Sequence, residues 1–151
     1  MDTLQGNGPM EGVTIIDLTQ IYNGPYATYL AAMAGARVIK IEPPGGEHLR
    51  KRSATSGAAL PFALLNGNKE SLVLNLKSEV GRNLLLELID HADVLVENFA
   101  PGVMDRLGIG PDIVRHRNPR LIYASGSGYG STGCCRRPKT DHLNLGVPTQ
   151  N

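Results

Sequence analysis

The chain has 151 residues, 41% of them hydrophobic, and its 15 basic and 14 acidic side chains leave a formal charge of +1. That length suits one domain burying about 68–70% of the surface its unfolded form exposes, and the charge balance gives no whole-chain case for binding nucleic acid or a membrane surface. No apolar run reaches the roughly 18–20 residues of a membrane span, the start lacks a basic region with an apolar core behind it, and the two cysteines, Cys134 and Cys135, are adjacent, so the expectation is a cytoplasmic protein with reduced thiols and no metal site.

Residues 13–18, VTIIDL, are a short apolar run rich in β-branched residues, as in a strand buried on both faces. Asn23, Gly24 and Pro25 end it: a side chain able to cap, a permissive backbone and a proline suited to a first helical turn. A helix is expected over 26–34, its small face (Ala27, Ala31, Ala32, Ala34) close on a sheet and Gly35 forming a left-handed C-terminal cap. Residues 37–42, RVIKIE, read as the second strand. A right-handed crossover then puts the turn at 20–25 on the carboxyl edge of the sheet, at a helix start where an anion or cofactor can be held. Pro43, Pro44, Gly45 and Gly46 stop the strand and open a long connection to about Gly67, carrying His48, Arg50, Lys51 and Arg52. A connection of this length reads as a segment covering a ligand or as a solvated basic loop.

Residues 71–76, SLVLNL, read as a third strand after a turn at Asn66, Gly67, Asn68 and Lys69. Ser78 can cap a helix over 79–90, where Val80, Leu84 and Leu88 recur every fourth residue and Leu85 and Ile89 widen the stripe. A buried strand follows at 93–97, DVLVE, then a turn at 98–102, NFAPG, and a helical face of Val103, Met104 and Leu107 ended by Gly108. Gly110 and Pro111 open a further helical turn with Ile113 and Val114 inward, Asn118 and Pro119 break it, and 121–125, LIYAS, is the last strand. Alternating strand and helix patterns make the fold class α/β, Rossmann-like, with a largely parallel sheet and helices on both faces. Glycines 126, 128, 130 and 133 follow the last strand; they let backbone N–H groups approach a ligand as an oxyanion or phosphate cradle requires, though a plain surface loop has the same composition. Loops 20–25, 98–102 and 126–133 all leave carboxyl ends of strands, so a parallel sheet gathers them on one edge.

Glu11-Gly12-Val13 leading to Asp17-Leu18, Gly24-Pro25, GARVIKIE at 35–42, NGNK at 66–69 with Leu74 and Lys77, DVLVENF at 93–99, PGVMDRLG at 101–108, NPRLIYAS at 118–125 and the loop 126–133 come in a specific order and spacing. Together they resemble the family III CoA-transferases, the group containing formyl-CoA transferase, the carnitine CoA-transferases and the α-methylacyl-CoA racemases. The resemblance covers 10–133 and implies a lead-in at 1–10, a CoA-binding α/β domain at 11–133 and a divergent tail at 134–151. It implies that coenzyme A lies along the carboxyl edge, contacted by Ile21, Tyr22, Leu74, Lys77, Asn98, Phe99, Arg106, Gly128 and Tyr129. Basic side chains there can meet the phosphates of CoA, and apolar ones can cover its adenine; Lys69 is a further candidate cation. By residue type alone Phe99 reads as core and Arg106 as an exposed helix charge. Pro43 stands where some transferases carry a CoA-contacting Arg, so that contact is missing or moved to Arg50, Lys51 or Arg52.

Within the family, PFALLN at 61–66 looks like transferases, and no His precedes Asp141 as the racemases' His-Asp pair requires. The family's aspartate attacks an acyl-CoA thioester, giving a mixed anhydride and then an enzyme-bound CoA thioester, before a second acid takes the CoA. That residue lies beyond the glycine-rich loop in a segment this chain does not contain, so no catalytic residue is assigned, and Asp141 is set aside as structural. Cys134 and Cys135 stand where a Pro and an aromatic are usual and 142–151 is unlike relatives, which a truncated, frameshifted or alternatively spliced product would explain. The implied partners are an acyl-CoA, a carboxylic acid and a second chain in an interlocked dimer. Three other readings remain: a racemase-type fragment; a nucleotide-dependent oxidoreductase, with Glu42 as ribose-binding acid but without G-x-G-x-x-G; and a non-catalytic fragment that pairs with a full-length chain.

Overall fold

In the computed structural model, which describes residues 8–51, 60–128 and 130, five strands pair in parallel. They are β1 (Thr14–Asp17), β2 (Arg37–Glu42), β3 (Glu70–Val73), β4 (Val94–Glu97) and β5 (Ile122–Ser125), in the spatial order β3-β2-β1-β4-β5. The helices are α1 (Asn23–Met33), α2 (Leu60–Asn66), α3 (Glu79–Asp90), α4 (Val103–Arg106) and α5 (Pro111–Arg117), with a short 3-10 turn at His48–Arg50. The doubly wound α/β class read from the sequence is the observed one. The expected tail at 134–151, Arg52 and Tyr129 lie outside the described residues.

Because side chains alternate along a strand, the register sorts the core into two layers. Ile15 pairs with Val38 and Val94, Ile16 with Ile39 and Leu95. Ile16, Ile39 and Leu95 face Leu85 and Ile89 of α3, Met104 of α4 and Val114 of α5. On the opposite face Ile15 and Val38 pack with Ala32 of α1 and Ala36. Asp17, Lys40 and Glu42 follow Ile15 and Val38 at steps of two, so three charged side chains are directed into the α1 layer at its carboxyl end.

Helix α3 has the expected bounds, and Ser78 caps it, its hydroxyl accepting the Gly81 N–H at 3.1 Å. Gly35 ends α1 at φ +100°, a conformation glycine adopts without strain. Three expectations need correction. Helix α1 begins at Asn23 itself, with Tyr22 at the capping position and no side-chain cap bond; its buried face is Gly24, Pro25, Thr28 and Ala32, while Ala27 is exposed. Strand β3 stops at Val73, three residues early: Leu74 still donates to the Glu42 carbonyl at 2.9 Å, but the Asn75 side chain then accepts the Lys77 N–H at 3.1 Å and turns the chain out of the ladder. The connection after β2 also contains α2, whose seven residues are too few to display a helical period and which packs on α1 and the 3-10 turn.

Candidate functional site at the carboxyl edge of the sheet

Strands β1 and β4 are neighbours from which the chain departs in opposite directions, so the loops behind them part at the carboxyl edge. In open α/β sheets that switch point is where ligands bind. Under it lies a buried polar network. The Asp17 carboxylate accepts the Thr19 N–H at 2.8 Å and its hydroxyl at 2.5 Å, the Thr28 hydroxyl at 2.6 Å and Lys69 Nζ at 3.0 Å. Lys40 Nζ stands 3.9 Å away and donates to the Thr19 carbonyl at 2.7 Å. Burial alone would raise the Asp17 pKa, but Lys40, Lys69 and the two hydroxyls outweigh it and hold it below the ordinary carboxylate value. Burial lowers the pKa of Lys69, with Asp17 opposing it.

The loop behind β1 is pinned from both sides. Asn98, behind β4, accepts the Gln20 N–H and donates to the Gln20 carbonyl, each at 2.8 Å. Glu47 accepts the Ile21 N–H at 2.9 Å and, with its other oxygen, the Leu49 N–H at 3.0 Å. Between these holds Ile21 sits at φ +69°, where a β-branched side chain costs on the order of 1–3 kcal/mol and persists only if its surroundings over-determine it. Gly126 brings the third loop alongside: its N–H donates to the Glu97 carbonyl at 2.8 Å, and a Cβ built on it would lie 3.7 Å from the Asn98 Cβ.

Lys77 and Arg106 come together although 29 residues separate them in the chain. With Arg82, Asp105, Leu107 and Gly108 they line an open cleft of about 460 Å³ between the start of α3 and the end of α4. Arg82 is anchored there by a 3.0 Å hydrogen bond from Nη1 to the Lys77 carbonyl. Three cations against one acid around one cleft are suited to a polyanion.

The remaining sequence-predicted residues fall differently. Tyr22 is exposed beside Ile21 at the start of α1. Leu74 belongs to the core, below an apolar groove that it lines with Leu72, Leu84 and Leu88. Phe99 is partly buried against the same core, its N–H donating to Glu97 at 2.7 Å. Asn98 spends both ends of its amide on Gln20, and Gly128 is exposed, with no contact within 4 Å of a Cβ built on it among the described residues. Lys69, a candidate cation, is committed inward: besides Asp17 it donates to the Pro25 carbonyl, Thr28 and Asn66 at 2.8–2.9 Å. Arg50 is likewise committed, paired with both Glu42 oxygens at 2.6 and 2.7 Å and stacked 3.7 Å over the Phe62 ring. Glu42, buried and bonded also to Ser71 and the Glu47 N–H, has no oxygen free for a ribose, which removes the main support for the oxidoreductase reading. Arg82 and Glu47 were not singled out from the sequence; a basic residue in the first turn of the helix that follows Lys77 was the available signal for the first, and nothing local marked the second. Among the described residues no group of three or more His, Cys, Asp or Glu could hold a metal ion, and no helix is long and apolar enough to cross a membrane.

Comparison with known proteins identifies the family. The chain is 52% identical over 128 residues to the acetyl-CoA:oxalate CoA-transferase of Acetobacter aceti, covering 83% of this chain and 33% of that protein. It is 46% identical over 123 residues to the formyl-CoA:oxalate CoA-transferase of Streptomyces coelicolor, covering 80% and 30%. It therefore spans about a third of the length of these curated relatives. Among solved structures, Rv3272 from Mycobacterium tuberculosis superposes with a TM-score of 0.82 at 41% identity, over 94% of this chain and 42% of that one. A CAIB/BAIF family protein from Brucella suis gives 0.80 at 34% identity, over 85% and 35%. The sequence profile of CoA-transferase family III matches residues 10–150, and the chain belongs to that family.

Proposed function

We propose that residues 11–133 form the CoA-binding domain of an enzyme that moves CoA between carboxylic acids, with an acyl-CoA as donor and a small acid such as oxalate as acceptor. The observation that carries this reading is the cleft in which Lys77 and Arg106, both implied as CoA contacts by the family resemblance, meet together with Arg82. Their charges suit the phosphates of CoA, and the pinned loop at 20–22 lies on the same edge of the sheet. In the reaction, a carboxylate attacks the thioester carbonyl, the C–S bond breaks, and CoA leaves as its thiolate. The thiolate then attacks the enzyme's side of the mixed anhydride, releasing the donor acid and leaving CoA on the enzyme for the acceptor carboxylate to take. Residues 11–133 supply the binding part of this cycle.

The test is the melting temperature with CoA in excess and NAD as control. A ligand that binds only the folded state at 100 times its Kd stabilises by about 2.7 kcal/mol, which at about 2–4 °C per kcal/mol is a shift of roughly 5–11 °C at this size. A shift with CoA alone that is lost in the Lys77→Ala/Arg106→Ala double variant is expected. No shift with CoA, or one that survives the double variant, overturns the assignment of the cleft.

A further inference from the structure

We propose that Glu47 is a positioning residue that holds the loop at 20–22 in its ligand-binding conformation, an inference that rests on the reading of that loop as part of a CoA site. Glu47 is 2% exposed, yet it sits in a connection that follows two prolines and two glycines, where an acid usually faces water. A buried carboxylate needs partners to offset its lost hydration, and here they are two backbone N–H groups on different segments, Ile21 and Leu49. The Leu49 bond is local and closes the 3-10 turn; the Ile21 bond spans 26 residues and reaches across to the switch point.

The other end of the lever is equally fixed. The Glu47 N–H donates to Glu42 Oε2 at 3.1 Å, and Glu42 in turn carries Arg50 and Ser71. A hydrogen-bonded line thus runs from β3 through β2 to the loop behind β1. Asn98 fixes Gln20 from the opposite side of the crevice but leaves the Ile21 N–H to Glu47. The left-handed φ of Ile21 turns Ile21 and Tyr22 where they stand, and a β-branched residue leaves that conformation when its hold is released. Glu47 would then act on binding through backbone conformation, without touching the ligand.

A double-mutant cycle on CoA affinity, measured by calorimetry on this chain, tests the proposal. Glu47→Gln keeps the size but loses the carboxylate's paired acceptance. It is expected to weaken CoA binding about tenfold in the parent, and less than about threefold when Ile21→Gly has already removed the conformational cost. Equal losses in both backgrounds would mean a general effect on the fold, and no loss in the parent would mean no role; either overturns the proposal. If the parent itself fails to bind CoA, the CoA reading falls and the positioning claim is judged separately by amide hydrogen exchange. Exchange at Ile21 should speed up at least about tenfold in Glu47→Gln while amides of β1 stay protected; unchanged exchange at Ile21 overturns it.

Discussion

Glu42 shows how one buried acid ties several segments together. The guanidinium of Arg50 dominates its titration and holds its pKa at about 2, against an ordinary 4.5, over the opposing effect of burial. A carboxylate with a depressed folded pKa contributes its stability in full above the unfolded value and loses it as pH falls through the folded one. The window is therefore from 4.5 down to about 2. Such a shift is worth roughly 3 kcal/mol at ~1.4 kcal/mol per unit, reduced to about 2 by water around the partly exposed guanidinium. We expect the melting temperature to fall across that window, and Arg50→Met to lower it near neutrality while flattening the acid limb; parallel acid limbs in the two proteins would contradict the assignment. The same residues mark how far the site was legible. Lys77 and Arg106 could be named because they sit in recognisable motifs and end at the surface. Lys69 and Arg50 are chemically the same kinds of residue, and only the fold reveals that each faces a buried acid. Glu47 gave no local sign, since its partner is the backbone of a residue two elements away.

Helix α3 presents a competition between propensity and packing. Gly81 lies in its first turn, where alanine would ordinarily gain about 1 kcal/mol of helix stability. A Cβ there would run into the backbone carbonyl of Asn75, inside the turn that ends β3 and feeds the Ser78 cap. The collision involves main chain on both sides, so Gly81→Ala is expected to destabilise by about 1–3 kcal/mol, read as a lower denaturation midpoint in urea; a raised midpoint would show that the turn yields. This helix was legible to its ends because cap, period and length agreed. The apolar runs of β1, β2, β4 and β5 were equally plain, but right-handed crossovers alone do not select the order β3-β2-β1-β4-β5, which depends on which face of the sheet each connecting helix covers. Strand β3 and α2 were misjudged for separate reasons. SLVLNL continues an apolar alternation that Asn75 interrupts with its own side chain, and LPFALLN carries no period at seven residues.

Among the described residues the sheet is covered unequally. Three helices pack on one face, but on the other α1 is apolar almost all round, and Tyr26, Leu30 and Met33 remain 54%, 50% and 60% exposed on its outer side. Leu60 and Leu64 of the adjoining α2 are 59% and 69% exposed. A helix apolar on every side is ordinarily buried, and a contiguous patch of this kind marks an association surface. Charge offers no compensating repulsion at a formal net of +1. We expect a second copy of the chain to cover this patch, so that sedimentation velocity shows the weight-average mass rising with concentration. Leu30→Glu, placed at the middle of the stripe, leaves the sheet and the carboxyl edge untouched. Burying a leucine contributes about 1.5–3 kcal/mol, so the variant should weaken association at least about tenfold while keeping its melting temperature at low concentration. A parent chain that stays monomeric across the same range would show that the α1 surface does not join copies of this protein.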